Sequence, residues 1–559
     1  MPNNQYDAIV IGSGISGGWA AKELCEKGLK TLVLERGRNI EPAKDFQETN
    51  KHPWELTHRG RRTNEDRTNS PIQSKVYAWT EASKQFFVND LENPYEQVKP
   101  FDWIRGYQVG GKSIMWGRQC YRMSDIHFED NARDGHGVDW PIRYKDIAPW
   151  YDYVEKFAGI SGSKEGLPQL PDGNFLPPME MNSIEKMVAG KINGHYSDGR
   201  KMIIGRTANL TRAIDGRGPC QYRNKCFEGC PFGAYFSSNS STLPAAVKTG
   251  NLTIRPFSIV AEILYDKESR KAKGVRIIDT ETLQSEEFFA KVIFLNAATI
   301  ASTGILLNST SDIFPTGLGN SSGQLGHNLM DMNSAVFATG DYDGLNDRYV
   351  YGRRPNGILI PRFRNISEQT KRKDYLRGFV YQGWGIRIRP KWAEGIGKEL
   401  KEQFIDPGNW TMNLIGEGEH LPYYENTIKL SKDKKDKFGL PLLQLNCEFR
   451  ENEKIMSQDM ADSAGEMLEL AGIKNIKINI ESGTPGVVIA ESGTARMGKD
   501  PKTSVLNKWN QLHDVKNVFV TDGSCMASSA VSPGPSITYM ALAARAVDYA
   551  VKEMKKRNL

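Results

Sequence analysis

Three cysteines near the middle of the chain have a spacing that suits redox chemistry. Cys220, Cys226 and Cys230 form a C-x5-C-x3-C-P pattern, in which Gly229 and Pro231 shape the turn. Three thiolates this close in sequence can bind an iron–sulfur cluster. A structural zinc would need a fourth ligand, and the sequence has no histidine nearby. A disulfide with one free thiol, or three unrelated thiols, are the simpler alternatives.

A glycine-rich segment near the N-terminus has the residue types that bind a dinucleotide. Residues 12–17 read G-S-G-I-S-G and follow the apolar run 8–11. The first glycine permits a tight turn, the second lets the backbone approach a pyrophosphate, and the third permits close packing of helix on strand. Glu35 follows the apolar run 31–34, where an acid accepts hydrogen bonds from ribose hydroxyls. The segment predicts NAD or FAD and disfavours NADP.

A parallel sheet has to position these residues. Further strand-like runs lie at 252–254, 292–295 and 517–520, and a long helix is expected after Pro535. Because cofactor-binding elements occur near both ends of the chain, they predict one discontinuous domain. The predicted class is α/β, with a Rossmann-like cofactor-binding domain and an α+β substrate-binding domain that carries an antiparallel sheet. The predicted boundaries are 1–125, 200–330 and 485–559 for the first domain, and 126–199 and 331–484 for the second.

The composition excludes several classes of protein. The chain has 559 residues, of which 39% are hydrophobic and 25% charged, so it is expected to fold as a globular protein. The net charge of +6 is spread over both halves and does not indicate nucleic-acid binding. No run of about 18 apolar residues predicts a membrane span. The N-terminus has no signal-peptide pattern, so the cytoplasm is the default location, with export to the periplasm alongside a signal-bearing partner as the alternative.

Four ordered motifs give the chain a resemblance to the glucose–methanol–choline (GMC) oxidoreductases. The first is the N-terminal glycine segment, and the second is the glycine loop 106–117. The other two are the E-S-G-T-A-R-M-G segment 491–498 and the C-terminal block 517–545. The resemblance implies an FAD-dependent enzyme, with FAD in an extended pose and the substrate domain over the flavin face.

The resemblance also assigns cofactor-binding roles to individual residues. The ADP part is assigned to Gly12, Gly14, Gly17 and Glu35, and the adenine to Val260. Ser16 and Arg36 are also expected to bind the cofactor. The flavin and pyrophosphate are assigned to Val109, Gly110, Gly111 and Ser113, and the pyrophosphate, ribityl and ring region to Asp522, Gly523 and Thr538. Some relatives attach FAD through a histidine near the position of Met115, so FAD is expected to be bound non-covalently here.

The cysteine segment resembles the 3Fe–4S loop of dehydrogenase members of this family. The resemblance implies that Cys220, Cys226 and Cys230 bind such a cluster. Its expected role is to pass electrons from the flavin to a partner protein, such as a cytochrome or a small subunit.

The catalytic positions of the family are not filled as expected. Its usual base is a histidine just before the Gly-Thr motif, with a His or Asn partner before the last helix. In this sequence Ala490 occupies the first position, and Gly534 or a neighbour such as Ser532 the second. The base candidates are Glu491 and His420. The alternatives are a substrate that needs no strong base, or a chain without alcohol dehydrogenation.

The expected activity is therefore oxidation of a CH–OH group of a sugar, glycoside or polyol, with Trp384 and Trp392 as stacking faces for a sugar ring. Electrons would leave through a 3Fe–4S cluster to a partner carrier. Two alternatives stay open, a catalytically silent FAD-binding electron-transfer subunit and an oxidase that uses O₂.

Overall fold

The computed structural model describes residues 4–52, 54–349, 354–387, 394–481, 483–529 and 534–559. The strands are β1 Gln5–Ile11, β2 Thr31–Leu34, β3 Glu96–Gln97, β4 Ile203–Ile204, β5 Leu252–Arg255, β6 Ser258–Asp266, β7 Lys271–Asp279, β8 Ser285–Leu295, β9 Asn333–Tyr342, β10 Ile358–Ile360, β11 Phe379–Arg387, β12 Trp410–Gly418, β13 Thr427–Lys435, β14 Pro441–Asn446, β15 Lys474–Ile480 and β16 Val518–Val520. The helices are α1 Ile15–Glu26, α2 Pro42–Asp45, α3 Asn64–Asn69, α4 Asp125–Asp134, α5 Tyr144–Ala158, α6 Ser183–His195, α7 Leu243–Lys248, α8 Thr299–Asn308, α9 Lys398–Ile405, α10 Glu451–Leu470 and α11 Ser536–Lys555.

A sheet of seven strands in the described residues contains strands from both the N-terminal and the C-terminal parts of the chain. Its order is β5-β2-β1-β8-β7-β6, and β16 also pairs with β8. The pairs β5–β2, β2–β1, β1–β8 and β8–β16 are parallel, whereas β8–β7 and β7–β6 are antiparallel. The strands β1 and β2 are apolar runs because helices cover both faces of the parallel part. The predicted discontinuous α/β sheet is confirmed.

A second sheet of six strands within the described residues has the order β15-β9-β12-β11-β10-β4. Its strands pair antiparallel throughout. The helices α6 and α10 contribute apolar side chains to the core on this sheet, including Ile184, Met456 and Met460. The predicted antiparallel sheet is therefore present.

The predicted domain boundaries stay a prediction, and packing departs from them at two places. Residues Trp140, Tyr151 and Val154, which were expected in the substrate domain, pack in the same core as Ile9 of the first sheet. The short strand β4, which was expected in the cofactor domain, pairs with β10 of the second sheet. Both departures arise because α5 packs against α11 and the chain crosses between the sheets more than once.

A buried charge cluster links α4 to the second sheet. The Arg362 guanidinium lies 2.6 Å from the Asp130 carboxylate, and both side chains are buried. Arg377 and Arg133 also contact Asp130. Arg362 and Arg377 are buried, and because a buried cation needs a compensating charge, Asp130 holds these two arginines in place.

None of the helices in the described ranges is long and apolar enough to cross a membrane.

The charge cluster predicts the stability of one variant. Asp130→Asn removes the carboxylate from the buried arginines and should lower the free energy of unfolding by about 3–5 kcal/mol. The neighbouring exposed Glu129 serves as the control, and Glu129→Gln should stay within about 0.5 kcal/mol of the parent. Urea unfolding of both variants measures the difference. Equal free energies of unfolding for the Asp130→Asn and Glu129→Gln variants would show that the buried charge cluster does not stabilise the fold.

Candidate active site

A cavity of about 1140 Å³ lies between the carboxyl edge of the parallel sheet and one face of the second sheet. Pockets for small ligands usually measure about 300–1,000 Å³. This cavity therefore has room for a large cofactor together with a small substrate.

The N-terminal glycine turn forms one wall of the cavity. Gly12 has a φ of 93°, which side chains rarely adopt, and its N–H donates to the Leu34 carbonyl. A Cβ on Gly17 would lie 1.9 Å from the Gly12 carbonyl oxygen, so only glycine permits this approach of helix and strand. The helix α1 begins directly after Gly14, which has no side chain to cap the first amides. These amides are available to a phosphate.

Glu35 lies at the end of β2, beside this turn. Its carboxylate accepts hydrogen bonds from the Ser13 amide and hydroxyl and from the Gly37 amide. Burial raises the pKa of this carboxyl, and the hydrogen bonds from Ser13 and Gly37 oppose that shift. The acid thus lines the cavity and also ties the glycine turn to β2.

The second glycine loop packs against the first. The Gly110 amide donates to the Ser13 hydroxyl, and the Ser113 hydroxyl donates to the Gly110 carbonyl. Gly111, Ser113 and Met115 line the cavity.

The turn after β16 reaches the cavity from the C-terminal part of the chain. The Asp522 carboxylate accepts from the Ser302 hydroxyl at 2.5 Å and from the amide and hydroxyl of Ser524. Burial raises the pKa of this carboxyl, and the Ser302 and Ser524 hydrogen bonds oppose the shift. Asp522 and Gly523 line the cavity.

The structure brings most of the predicted cofactor residues together. The cavity is lined by Gly12, Gly14, Ser16, Glu35, Arg36, Gly111, Ser113, Val260, Asp522 and Gly523. Four others lie behind that lining, namely Gly17, Val109, Gly110 and Thr538. Gly17 and Gly110 support the two turns, Val109 packs in the core, and the Thr538 hydroxyl is hydrogen-bonded to Tyr151. These four residues are not part of the cavity lining, and their contacts with the cofactor stay a prediction.

Several buried polar atoms of the cavity lining lack a hydrogen-bond partner among the described residues. They are Asn296 Oδ1, Tyr539 OH, Glu417 Oε2, Arg105 Nε and Arg118 Nε. A buried polar group without a partner is costly, and a bound molecule can satisfy it. These atoms, the free amides of α1 and the glycine turn together fit a large polar cofactor.

Strands β11 and β12 form the opposite end of the cavity. The Gln382 amide donates to Glu417 Oε1 at 2.5 Å, the Gln119 amide donates to Gln382 Oε1 at 2.7 Å, and the Tyr121 hydroxyl donates to Gln119 Oε1 at 2.6 Å. Gln119, Gln382, Trp384 and Glu417 line the cavity. Burial, together with the charge of Asp331, raises the pKa of Glu417 to about 7, while the Gln382 hydrogen bond opposes the shift.

Two more carboxyls lie near this end. Asp331 is fully buried and accepts from the amides of Gly486 and Ala490. Burial and the charge of Glu491 raise its pKa to about 7. The Glu491 carboxylate lines the cavity and lies 3.2 Å from the Lys112 ammonium.

The positions where the usual catalytic pair was expected also line the cavity. Ala490 and Gly534 both contribute to its wall. Both positions therefore face the cavity, while Ser532 and Trp392 lie outside the described residues.

His420 lies away from the cavity wall. Its Nδ1 accepts from the Asp331 amide, and its Nε2 is 3.0 Å from the Glu448 carbonyl, so both ring nitrogens are used by the backbone. Burial lowers the pKa of this histidine. Its surroundings give it a structural role, and they do not support its use as a base.

The three predicted metal-binding cysteines are half-buried and free. Burial raises the pKa of the Cys220 thiol, and the nearby Cys226 and Cys230 raise it further. Cys226 lines the cavity, next to Phe227. No group of three potential ligands in the described ranges is arranged to hold a metal ion, so the structure does not support the metal site predicted from spacing.

The fold and the cavity define a dinucleotide-binding protein, because the glycine turn lies at the carboxyl edge of a parallel sheet. Two family models described as GMC oxidoreductase match residues 6–333 and 422–543. The chain belongs to the GMC oxidoreductase family, as its motifs predicted. Membership implies an FAD cofactor, which the cavity fits.

Curated relatives match nearly the whole chain. The 2-methyl-1,2-propanediol dehydrogenase of Mycolicibacterium austroafricanum is 28% identical, over 98% of this chain and 95% of its own. The fructose dehydrogenase large subunit of Gluconobacter japonicus is 26% identical, over 98% of each chain. The gluconate 2-dehydrogenase flavoprotein of Pantoea cypripedii is 24% identical, over 93% of this chain and 89% of its own.

A solved structure of formate oxidase from Aspergillus oryzae RIB40, described for its FAD modification, has the same fold. It superposes with a TM-score of 0.61 at 14% identity and covers 100% of both chains.

Sequence reasoning missed Gln382, Glu417 and Asp331. Glu417 belongs to the G-E-G-E-H segment 416–420. The resemblance of this segment to the substrate domain of relatives predicts His420, and not Glu417, as a base candidate. Side chains on one face of a strand recur every two residues, so Ile415 and Glu417 lie on the same face of β12, and both line the cavity. This period was the signal in the sequence that could have identified Glu417.

The close packing of the glycine turn predicts that a larger residue at position 17 weakens FAD binding. Gly17→Ala should force the turn apart and strongly reduce the FAD bound per chain. The control is Gly190→Ala on α6, where an added Cβ meets open space. The ratio of visible flavin absorbance to protein measures both variants. A folded Gly17→Ala protein with full flavin content would contradict the assignment.

Proposed function

We propose that this protein is an FAD-dependent dehydrogenase that oxidises a CH–OH group of a sugar, glycoside or polyol. The observation that carries the proposal is one cavity that joins a dinucleotide-binding turn to a polar end with a buried carboxyl. When bound, FAD supplies the acceptor for two electrons from the substrate carbon.

The N-terminal and C-terminal segments would hold the cofactor. The α1 amides favour its phosphates, Glu35 is placed for a ribose hydroxyl, and Asp522 brings a buried carboxyl to the same wall. Met115 lies in the wall where some relatives have a histidine link, which supports non-covalent binding.

The β11–β12 end of the cavity suits a small hydroxylated substrate. Gln119, Gln382 and Asn356 present amide groups, which both donate and accept hydrogen bonds, as hydroxyls do. Trp384 adds an aromatic surface for the apolar face of a sugar ring. The names of the relatives, a diol, fructose and gluconate dehydrogenase, support this substrate class.

The electron acceptor is proposed to be a partner protein, reached through a 3Fe–4S cluster on Cys220, Cys226 and Cys230. The C-x5-C-x3-C-P spacing and the place of Cys226 in the cavity wall support it. As placed, the three thiols form no metal-ion site in the described part of the chain, so the proposed cluster rests on the cysteine spacing. The cytoplasm stays the proposed location, and the two-domain boundaries stay proposed as well.

Anaerobic flavin reduction tests the activity. The holoprotein is mixed with 2-methyl-1,2-propanediol, D-fructose, D-gluconate and a panel of glucosides and hexoses. At least one of them should bleach the oxidised flavin band. No bleaching by any would contradict the proposal and favour a silent electron-transfer subunit, whereas peroxide formed during aerobic turnover would favour an oxidase.

Iron analysis with electron paramagnetic resonance tests the cysteine loop. Protein purified without oxygen should contain about three irons per chain and show the signal of an oxidised 3Fe–4S cluster. Replacing Cys226 by serine should remove both, with Cys447→Ser as the control because Cys447 is buried elsewhere. Iron-free protein that still passes electrons to an acceptor would contradict the cluster.

A further inference from the structure

Glu417 combines burial, access to the cavity and an oxygen that is not yet used. Its side chain is 4% exposed and lies in the cavity wall. Gln382 holds Oε1, whereas Oε2 has no hydrogen-bond partner among the described residues. One carboxylate oxygen is therefore fixed and the other is available to a bound molecule.

Three other side chains near the β11–β12 end of the cavity could accept a proton, but each is already ion-paired or hydrogen-bonded. Glu491 is paired with the Lys112 ammonium at 3.2 Å. Both oxygens of Asp331 accept backbone amides of the 486–490 segment. His420 has both nitrogens bound to backbone groups. Ala490 and Gly534 offer no proton acceptor at all.

We propose that Glu417 is the catalytic residue that takes the hydroxyl proton of the substrate. Gln382, which binds the Glu417 carboxylate, and Gln119, which binds Gln382, are the positioning residues. This proposal rests on the proposed alcohol oxidation. Glu417 would be the base in a chain that has Ala490 at the position of the usual histidine.

The proposed reaction removes a proton from the substrate hydroxyl and a hydrogen with its electron pair from the adjacent carbon. The substrate O–H bond breaks, and its proton moves to Glu417 Oε2, which becomes a carboxylic acid. With FAD held in the cavity as the two-electron acceptor, the adjacent C–H hydrogen would leave with its electron pair to the cofactor, and the carbon would be oxidised to a carbonyl. The proton on Glu417 is then released to solvent.

The surroundings of Glu417 set its protonation. Asp331 raises the pKa of Glu417, and Tyr77 and Tyr121 interact with its charge, while the Lys112–Glu491 pair lines the same cavity. The pKa of Glu417 is about 7, so the group is a carboxylate above that pH and a neutral acid below it. A base has to be deprotonated, so activity should rise with pH through about 7 and then level off.

Glu417→Gln removes the proton acceptor and keeps the size and the Gln382 contact. It should slow substrate-driven flavin reduction by about 10²–10⁴-fold and abolish the rise with pH. The measurement is anaerobic stopped-flow reduction by whichever tested sugar or diol bleaches the parent. An unchanged rate and pH profile would overturn the proposal.

Two other glutamates serve as comparisons. Glu419, two residues along the same segment, is also buried but contacts Arg377 and Arg362 instead of lining the cavity. Glu419→Gln should therefore keep the pH-dependent rise. If Glu491→Gln abolished the rise and Glu417→Gln kept it, Glu491 would be the base.

The positioning role of Gln382 can be tested separately, by the pH at which the rate rises. The Gln382 hydrogen bond lowers the pKa of Glu417, so Gln382→Met should move the rise in rate to higher pH while the rate at high pH falls less than in Glu417→Gln. A lower rate at every pH with no shift of the rise would show a merely structural role.

Sulfite binding separates this proposal from the proposed activity, because it needs no substrate. Sulfite adds to the oxidised flavin as an anion, so a nearby carboxylate weakens its binding. Sulfite affinity of the parent should fall as pH rises through about 7 more steeply than that of Glu417→Gln. If no sugar or diol reduces the flavin but this difference in sulfite affinity is seen, the proposed activity is contradicted. The placement of Glu417 near the flavin is then still supported. Identical sulfite titrations of parent and variant would overturn the proposal whether or not a substrate is found.

Discussion

The close contact between Gly17 and the Gly12 carbonyl is the constraint on which the site depends. It brings the start of α1 against the end of β1, so the free amides of the helix face the cavity. Glu35 then ties this turn to β2, and Ser13 ties it to the second glycine loop through Gly110. A single bulky side chain at this contact would separate the segments that make up the cofactor wall.

The substrate end is built on a different principle, the burial of acidic groups. Asp331 and Glu417 lie in or beside the cavity with raised pKa values, and the ammonium of Lys112 is paired with Glu491 instead. A carboxyl with a pKa near 7 is costly to the folded state at higher pH, because the unfolded chain would release its proton more readily. Such stored cost is common at functional sites, where a proton acceptor is useful near neutral pH.

Much of the cofactor site could be predicted from sequence, since the glycine turn, Glu35 and Asp522 depend on local patterns that recur in parallel sheets. The substrate end could not be predicted in the same way. Glu417 becomes a candidate only when β12 turns its side chain towards the cavity and Gln382 of β11 binds one oxygen, which requires knowledge of strand pairing. His420 looked suitable by residue type, yet backbone groups 28 and 89 residues away in sequence occupy its nitrogens.

An experimental structure of the FAD-bound protein tests the central claim, that one cavity brings cofactor and Glu417 together. The account predicts that the phosphates lie at the start of α1 and that the flavin ring faces Glu417 across a space large enough for a small polyol. A flavin ring that lies against another wall, with protein atoms between it and Glu417, would contradict the account.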